Sequence, residues 1–89
     1  MTEVFQLNSP LKIQRQREVL EQYGFKKSTL YTRIKEGLVP PPISLGGLRA
    51  VGWIEHETQL VIAAMCAGKS QDEIKQLVAE LVAQRSQLG

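Results

Sequence analysis

The sequence predicts a mainly helical fold with one small β-hairpin, and three observations predict it. Apolar residues recur at helical spacing in four segments, and glycines stop three of them. Three consecutive prolines interrupt the helical pattern midway. Two short β-prone runs then flank Gly46-Gly47-Leu48. The 89 residues suffice for one small domain, not for a cofactor domain plus a substrate domain. An apolar content of 43% and a net charge of +2 describe a folded chain rather than a disordered one. A domain of this size buries only about 60–65% of its unfolded surface, so an extra clamp or partner would help it.

Residues 1–10 carry few periodic apolar positions and end in Ser9-Pro10, which predicts a flexible arm. Leu11-Lys12-Ile13 alternates and predicts a short edge strand. Arg17 to Tyr23 follows as a helix with Val19, Leu20 and Tyr23 on one face, capped by Gly24. A second helix over Lys27 to Glu36 places Leu30, Tyr31 and Ile34 on its apolar face and stops at Gly37. Pro40-Pro41-Pro42 forms a stiff extended strut, because prolines lack N–H groups and disfavour helix in the residue before them. Ile43-Ser44-Leu45 and Arg49 to Trp53 form the hairpin strands. Ile54 to Ala67 is a helix so apolar towards its end that one neighbouring surface would not cover it.

Ser70 and Glu73 then form a capping box for a last amphipathic helix striped by Ile74, Leu77, Val78, Leu81 and Val82. The organisation is an arm at 1–10, a domain at 11–68 and a C-terminal helix at 69–89 that packs on the domain or dimerises.

No catalytic constellation, metal site or cofactor motif is found, which predicts a protein that is not an enzyme. His56 is the sole histidine, and neighbours on a helix point in different directions, so it has no partner ligands in sequence. Cys66, the single cysteine, lies in an apolar helical run, which predicts a buried, inert thiol. One cysteine also forms no internal disulfide, in keeping with a reducing cytoplasm. Residues 1–7 lack a basic leader and the longest apolar run, Leu60 to Ala67, is far short of the ~20 residues of a spanning helix; the expectation is a cytoplasmic protein with no membrane partner.

The net charge conceals an asymmetry. From Lys12 to Arg49, eight basic residues face three acids, giving +5; from Trp53 onward, three face five, giving −2, and Glu3 completes the balance. A basic first half suits an anionic polymer, although a solvated surface explains the charge equally well. The pair of short helices adds to the polymer reading. Val19 and Leu20 brace, Gly24 turns, Phe25 fills the corner, and Leu30 and Ile34 seat the second helix, as a helix-turn-helix requires. This leaves Lys27, Ser28, Thr29, Thr32 and Arg33 outward, where such a helix meets base edges in the major groove. Lys26, Lys35 and Arg49 are candidates for phosphate contacts, and Ser28 or Thr29 N–H groups for an anion at the helix start.

Residues from about Arg15 to Leu60 resemble the AlpA family of prophage regulatory proteins. The resemblance rests on Glu18-Val19-Leu20, Gly24, Ser28-Thr29-Leu30-Tyr31, Ile34-Lys35-Glu36-Gly37, Pro40-Pro41-Pro42, Leu45-Gly46 and Val51-Gly52-Trp53, followed by Glu55 and Glu57. It implies a winged helix-turn-helix of the MerR and excisionase kind, with Lys27, Ser28, Thr29, Thr32 and Arg33 on the recognition helix and Gly46 to Arg49 in the wing. The chain departs from the pattern in four ways. Lys26 stands where a capping Ser or Thr is usual, Val39 replaces an aromatic, the wing is longer so that Leu48 protrudes, and the last helix is additional.

The function implied is a DNA-binding transcriptional regulator of a prophage or mobile element, acting on double-stranded DNA with RNA polymerase as the downstream partner. An excisionase that bends DNA for an integrase keeps the same contacts. A protein–protein adaptor using the 70–87 helix, or a homodimer through it, is the alternative of another class.

Overall fold

The computed structural model describes residues 11–87; the arm expected at 1–10 lies outside the described residues. In chain order the elements are β1 (Ile13–Gln14), α1 (Gln16–Tyr23), α2 (Lys27–Lys35), β2 (Ile43–Ser44), β3 (Val51–Ile54), α3 (Glu55–Cys66) and α4 (Gln71–Ala83). A 3-10 turn over Gln84–Gln87 follows. This is the expected mainly helical fold, compatible with a winged helix-turn-helix carrying one more helix.

Helix stops sit where the glycines predict them. Gly24 takes φ 75°, a left-handed conformation that a side chain disfavours, and donates to the Leu20 carbonyl at 2.8 Å. At the end of α2 the Gly37 N–H donates to Ile34 O and the Leu38 N–H to Arg33 O, which satisfies carbonyls that the helix leaves open. Starts are less uniform. The Glu18 carboxylate accepts from the Arg15 N–H at 2.8 Å ahead of α1, whereas Lys26 ahead of α2 makes no side-chain cap. Ser70 and Glu73 exchange both bonds of their capping box, and those bonds hold the Glu73 carboxyl below the usual glutamate range.

The hairpin gains a third strand. β3 is central and antiparallel to both neighbours, with Ile13 opposite Ile54, Gln14 opposite Trp53, Ile43 opposite Gly52 and Ser44 opposite Val51. The edge strand expected at Leu11 to Ile13 therefore begins two residues later and ends one later, and its inward residue is Gln14, while Leu11 and Ile13 are exposed. The cause is a polar network. Gln14 Nε2 donates to Gln22 Oε1 at 2.6 Å, and the Thr58 hydroxyl lies 2.7 Å from Gln14 Oε1 and 2.8 Å from the Glu55 carbonyl. Gln22 Oε1 lies 3.2 Å from the same hydroxyl, which carries one proton, so the three acceptors share it in turn. Gly52 is the closest approach in the sheet: a Cβ there would clash with Ile13 Cγ2 and stand 3.1 Å from Gln14 O and 3.2 Å from Leu45 Cδ1.

Two apolar clusters form. The first joins α1, α2 and the sheet through Val19, Leu30, Val39 and Trp53, with Leu20, Phe25, Ile34 and Val51 around it. Trp53 is fully buried, and its ring supplies the largest single side chain of the core. The second joins α3 to α4 through Val61, Ile74, Val78 and Leu81. Tyr23 packs against both and stacks on Phe25, their centroids 4.9 Å apart. The stripe of α4 thus covers α3 within the chain.

Three expectations change. Cover for α3 comes from one side, so Leu60 and Met65 remain exposed. Cys66 is exposed rather than buried, because it lies on the part of α3 that α4 does not reach. Tyr31 also leaves the apolar face of α2 and is exposed.

The structure supplies the clamp that so small a domain needs. Glu57 is fully buried near the start of α3, and Arg85 of the 3-10 turn meets it with two hydrogen bonds, Nε to Oε2 at 2.9 Å and a terminal nitrogen to Oε1 at 2.6 Å. The same nitrogen donates to the Pro41 carbonyl at 2.8 Å. One side chain thereby ties the C-terminal turn to α3 and to the proline strut.

Replacing Arg85 with Ala leaves a buried carboxylate without its cation and is expected to cost about 3–5 kcal/mol in urea unfolding. The double exchange E57M/R85M is expected to recover most of that loss. Gly52→Ala is expected to cost about 1–3 kcal/mol through the clash across β1. Burial raises the Tyr23 phenol well above its ordinary value of 10.0. Its contribution to stability is whole below that ordinary value and is lost as pH rises towards the folded one, so Tyr23→Phe should flatten the alkaline fall in unfolding free energy.

Candidate nucleic-acid interface

A helix of nine residues shows one face to solvent when the apolar side chains of its other face are fixed from behind. Leu30 of α2 is fully buried, with Phe25 and Ile34 half-buried beside it against the first cluster. At about 100° per residue, Ser28, Tyr31, Thr32 and Lys35 fall within roughly 100° of arc on the opposite face. Each of these four is exposed. Lys27 is exposed on the flank, and Lys26 is exposed just before the first turn. Thr29 is half-buried on the other flank.

Arg33 departs from the grouping. It lies about 140° around the helix from Ser28, towards the buried side. Its guanidinium pairs with Glu36 at 3.3 Å and stands over the Phe25 ring, 6.0 Å from the centroid. It also lines a cleft with Leu38, Val39, Met65 and Ile74. A base contact from Arg33 would require it to leave Glu36.

Tyr31 is the member that reading the sequence misses. Its place between Leu30 and Ile34 suggests an apolar role, yet its hydroxyl donates to Gln16 Oε1 at 2.9 Å. That bond fixes the ring across the start of α1 and in the middle of the exposed stripe. The usable signal is angular: Tyr31 is nearer to Ser28 than to Leu30 on the helix wheel.

The start of α2 is electropositive by construction. Lys26 and Lys27 are both exposed there, no acidic residue lies in the first turn, and the Lys26 side chain caps nothing. The N–H groups of the first turn therefore point outward towards any anion that approaches. Arg49 sits apart from α2, exposed on the loop between β2 and β3. The other exposed basic residues of this half include Lys12, Arg15 and Arg17, of which Arg17 has Glu21 at 3.6 Å.

No group of titratable side chains suited to a metal ion occurs among the described residues, and none of their helices is long and apolar enough to cross a membrane. The interface is one of hydroxyls, amides and cations, which suits binding to a polyanion more than bond-making chemistry.

Comparison with known proteins gives one family and a phage relative. The sequence model described as Prophage CP4-57 regulatory protein (AlpA) matches residues 12–63. Uncharacterized protein ORF88 of Enterobacteria phage P4 is 37% identical over 54 residues, which cover 61% of this chain and 60% of that relative's own length. No solved structure matches the chain.

Proposed function

The chain belongs to the AlpA family of prophage regulatory proteins, and on that premise we propose that it binds double-stranded DNA and regulates transcription for a prophage or mobile element. The observation that carries this reading is the exposed stripe of Ser28, Tyr31, Thr32 and Lys35 on a helix whose other side is fixed in the core. In the proposed complex α2 lies in the major groove, with Ser28, Thr29 and Thr32 facing base edges and Lys26, Lys27 and Lys35 on phosphates. Arg33 reads guanine by exchanging Glu36 for the base. Arg49 holds the wing against the backbone or the minor groove.

The proposal makes RNA polymerase the downstream partner of a regulator; an integrase would take that place for an excisionase. Burial of Ile74, Val78 and Leu81 of α4 against α3 favours this reading over an adaptor that would dock a partner on the same stripe. Domain 11–68 is taken as the DNA reader and 69–89 as its brace.

Binding is measured by fluorescence anisotropy on duplexes that the purified protein enriches from a random pool. With about five phosphates neutralised, log affinity should fall against log salt with a slope near −4.5. Lys35→Ala and Arg49→Ala should weaken cognate and unrelated duplexes alike and reduce the slope by about 0.9 each. Arg33→Ala or Thr32→Ala should relax base preference with little change in slope. Enrichment of no duplex, or affinity indifferent to salt, would sink the reading. A reporter gene and an excision assay, each run with and without the protein, separate the two outcomes: transcriptional change without excision supports regulation, and excision alone overturns it.

A further inference from the structure

We propose that Leu48 is an apolar wedge that enters the minor groove of the bound duplex and kinks it, a step that rests on the DNA-reading function above. Leu48 is 103% exposed, the most exposed large apolar side chain among the described residues. A single exposed leucine is ordinary; its setting is not. It stands at the tip of the β2–β3 loop, where the Leu45 N–H donates to the Ala50 carbonyl at 2.8 Å and closes the base of the loop.

Beyond that bond the tip narrows. Gly46 and Gly47 take φ 85° and 147°, positive values that favour glycine, and they turn the chain without adding side chains. A Cβ on Gly46 would meet nothing within 4 Å, and one on Gly47 would meet only Ala50 Cβ, at 3.7 Å, so the tip is crowded by no element of the body. The profile is a thin ribbon bearing one aliphatic group, followed at once by the exposed cation Arg49. A B-form minor groove is about 6 Å wide and electronegative, and it admits such a ribbon. Aliphatic side chains inserted there part adjacent base pairs and bend the duplex by about 20–90° towards the major groove. Arg49 beside the wedge supplies the attraction that holds it in place.

Because Leu48 is wholly exposed, removing it takes no contact from the core, and its substitution tests binding rather than folding. The test uses the full chain and the duplex it enriches from a random pool. Bend is read by energy transfer between dyes at the two duplex ends, and unstacking by 2-aminopurine fluorescence under the wing. The wild type is expected to bend the duplex by at least about 20° and to brighten 2-aminopurine, with a preference for the flexible steps TA and CA/TG. Leu48→Ala should abolish both signals and weaken binding by about tenfold, while Leu48→Met restores them. Arg49→Ala should weaken binding and keep the unstacking signal in the complex that remains. A wild-type complex that neither bends nor unstacks, or an L48A complex that still does both, overturns the wedge and leaves the DNA reading standing. Enrichment of no duplex at all overturns both.

Discussion

A carboxylate with no access to water must find a cation, and in this chain the Glu57 carboxylate finds it 28 residues away in Arg85. Much of the architecture follows from that demand. Glu57 lies near the start of α3, beside the sheet; Arg85 lies past the end of α4. For the two to meet, α4 must run back along α3, which is the geometry that seats Ile74, Val78 and Leu81 on Val61. The guanidinium has donors to spare, and one also reaches the Pro41 carbonyl, in a strut whose prolines offer no N–H groups of their own. The proline segment between α2 and the hairpin is thereby fixed from the C-terminal end. A boundary drawn between 68 and 69 separates in sequence two parts that are joined in space.

The two apolar clusters divide the work. One positions α2 against α1 and the sheet; the other gives α3 its cover. Tyr23 touches both, so the small core is continuous across the turn at Gly24. On its other side α2 keeps only short polar groups, a tyrosine ring tied down by Gln16, and lysine. The result is a rigid helix with an adaptable outer surface, a combination suited to reading a groove without reshaping the reader.

Local signals were the legible part. Gly24, Gly37 and Gly68 stop their helices, Ser70 and Glu73 cap α4, and the prolines break the helical run, because each acts within a few residues of itself. The apolar braces Val19 and Leu30 were equally clear from their spacing. What the sequence hid acts at long range or depends on angle. Glu57 and Arg85 read as surface charges on separate helices until the fold brings them together. Gln14 lies just past the alternating Leu11-Lys12-Ile13, and Thr58 and Gln22 supply the partners that let it turn inward. Cys66 follows the apolar run of α3, but none of the described elements covers it. Arg33 and Tyr31 exchange places relative to the simple reading, since a difference of two positions is more than half a helical turn.

The hairpin tip is held near its base by two hydrogen bonds, from the Leu45 N–H to the Ala50 carbonyl and from the Gly46 N–H to the Ser44 hydroxyl. Mutation therefore meets two regimes in one small protein. On α2, residues that touch the core alternate with residues that face outward, so each substitution there lies next to the packing. At Leu48 and Arg49 the side chains are exposed and a change takes nothing from the core, whereas Gly46 and Gly47 hold positive φ values that favour glycine. Single substitutions at Leu48 and Arg49 therefore change what the tip presents to solvent while the core stands unaltered.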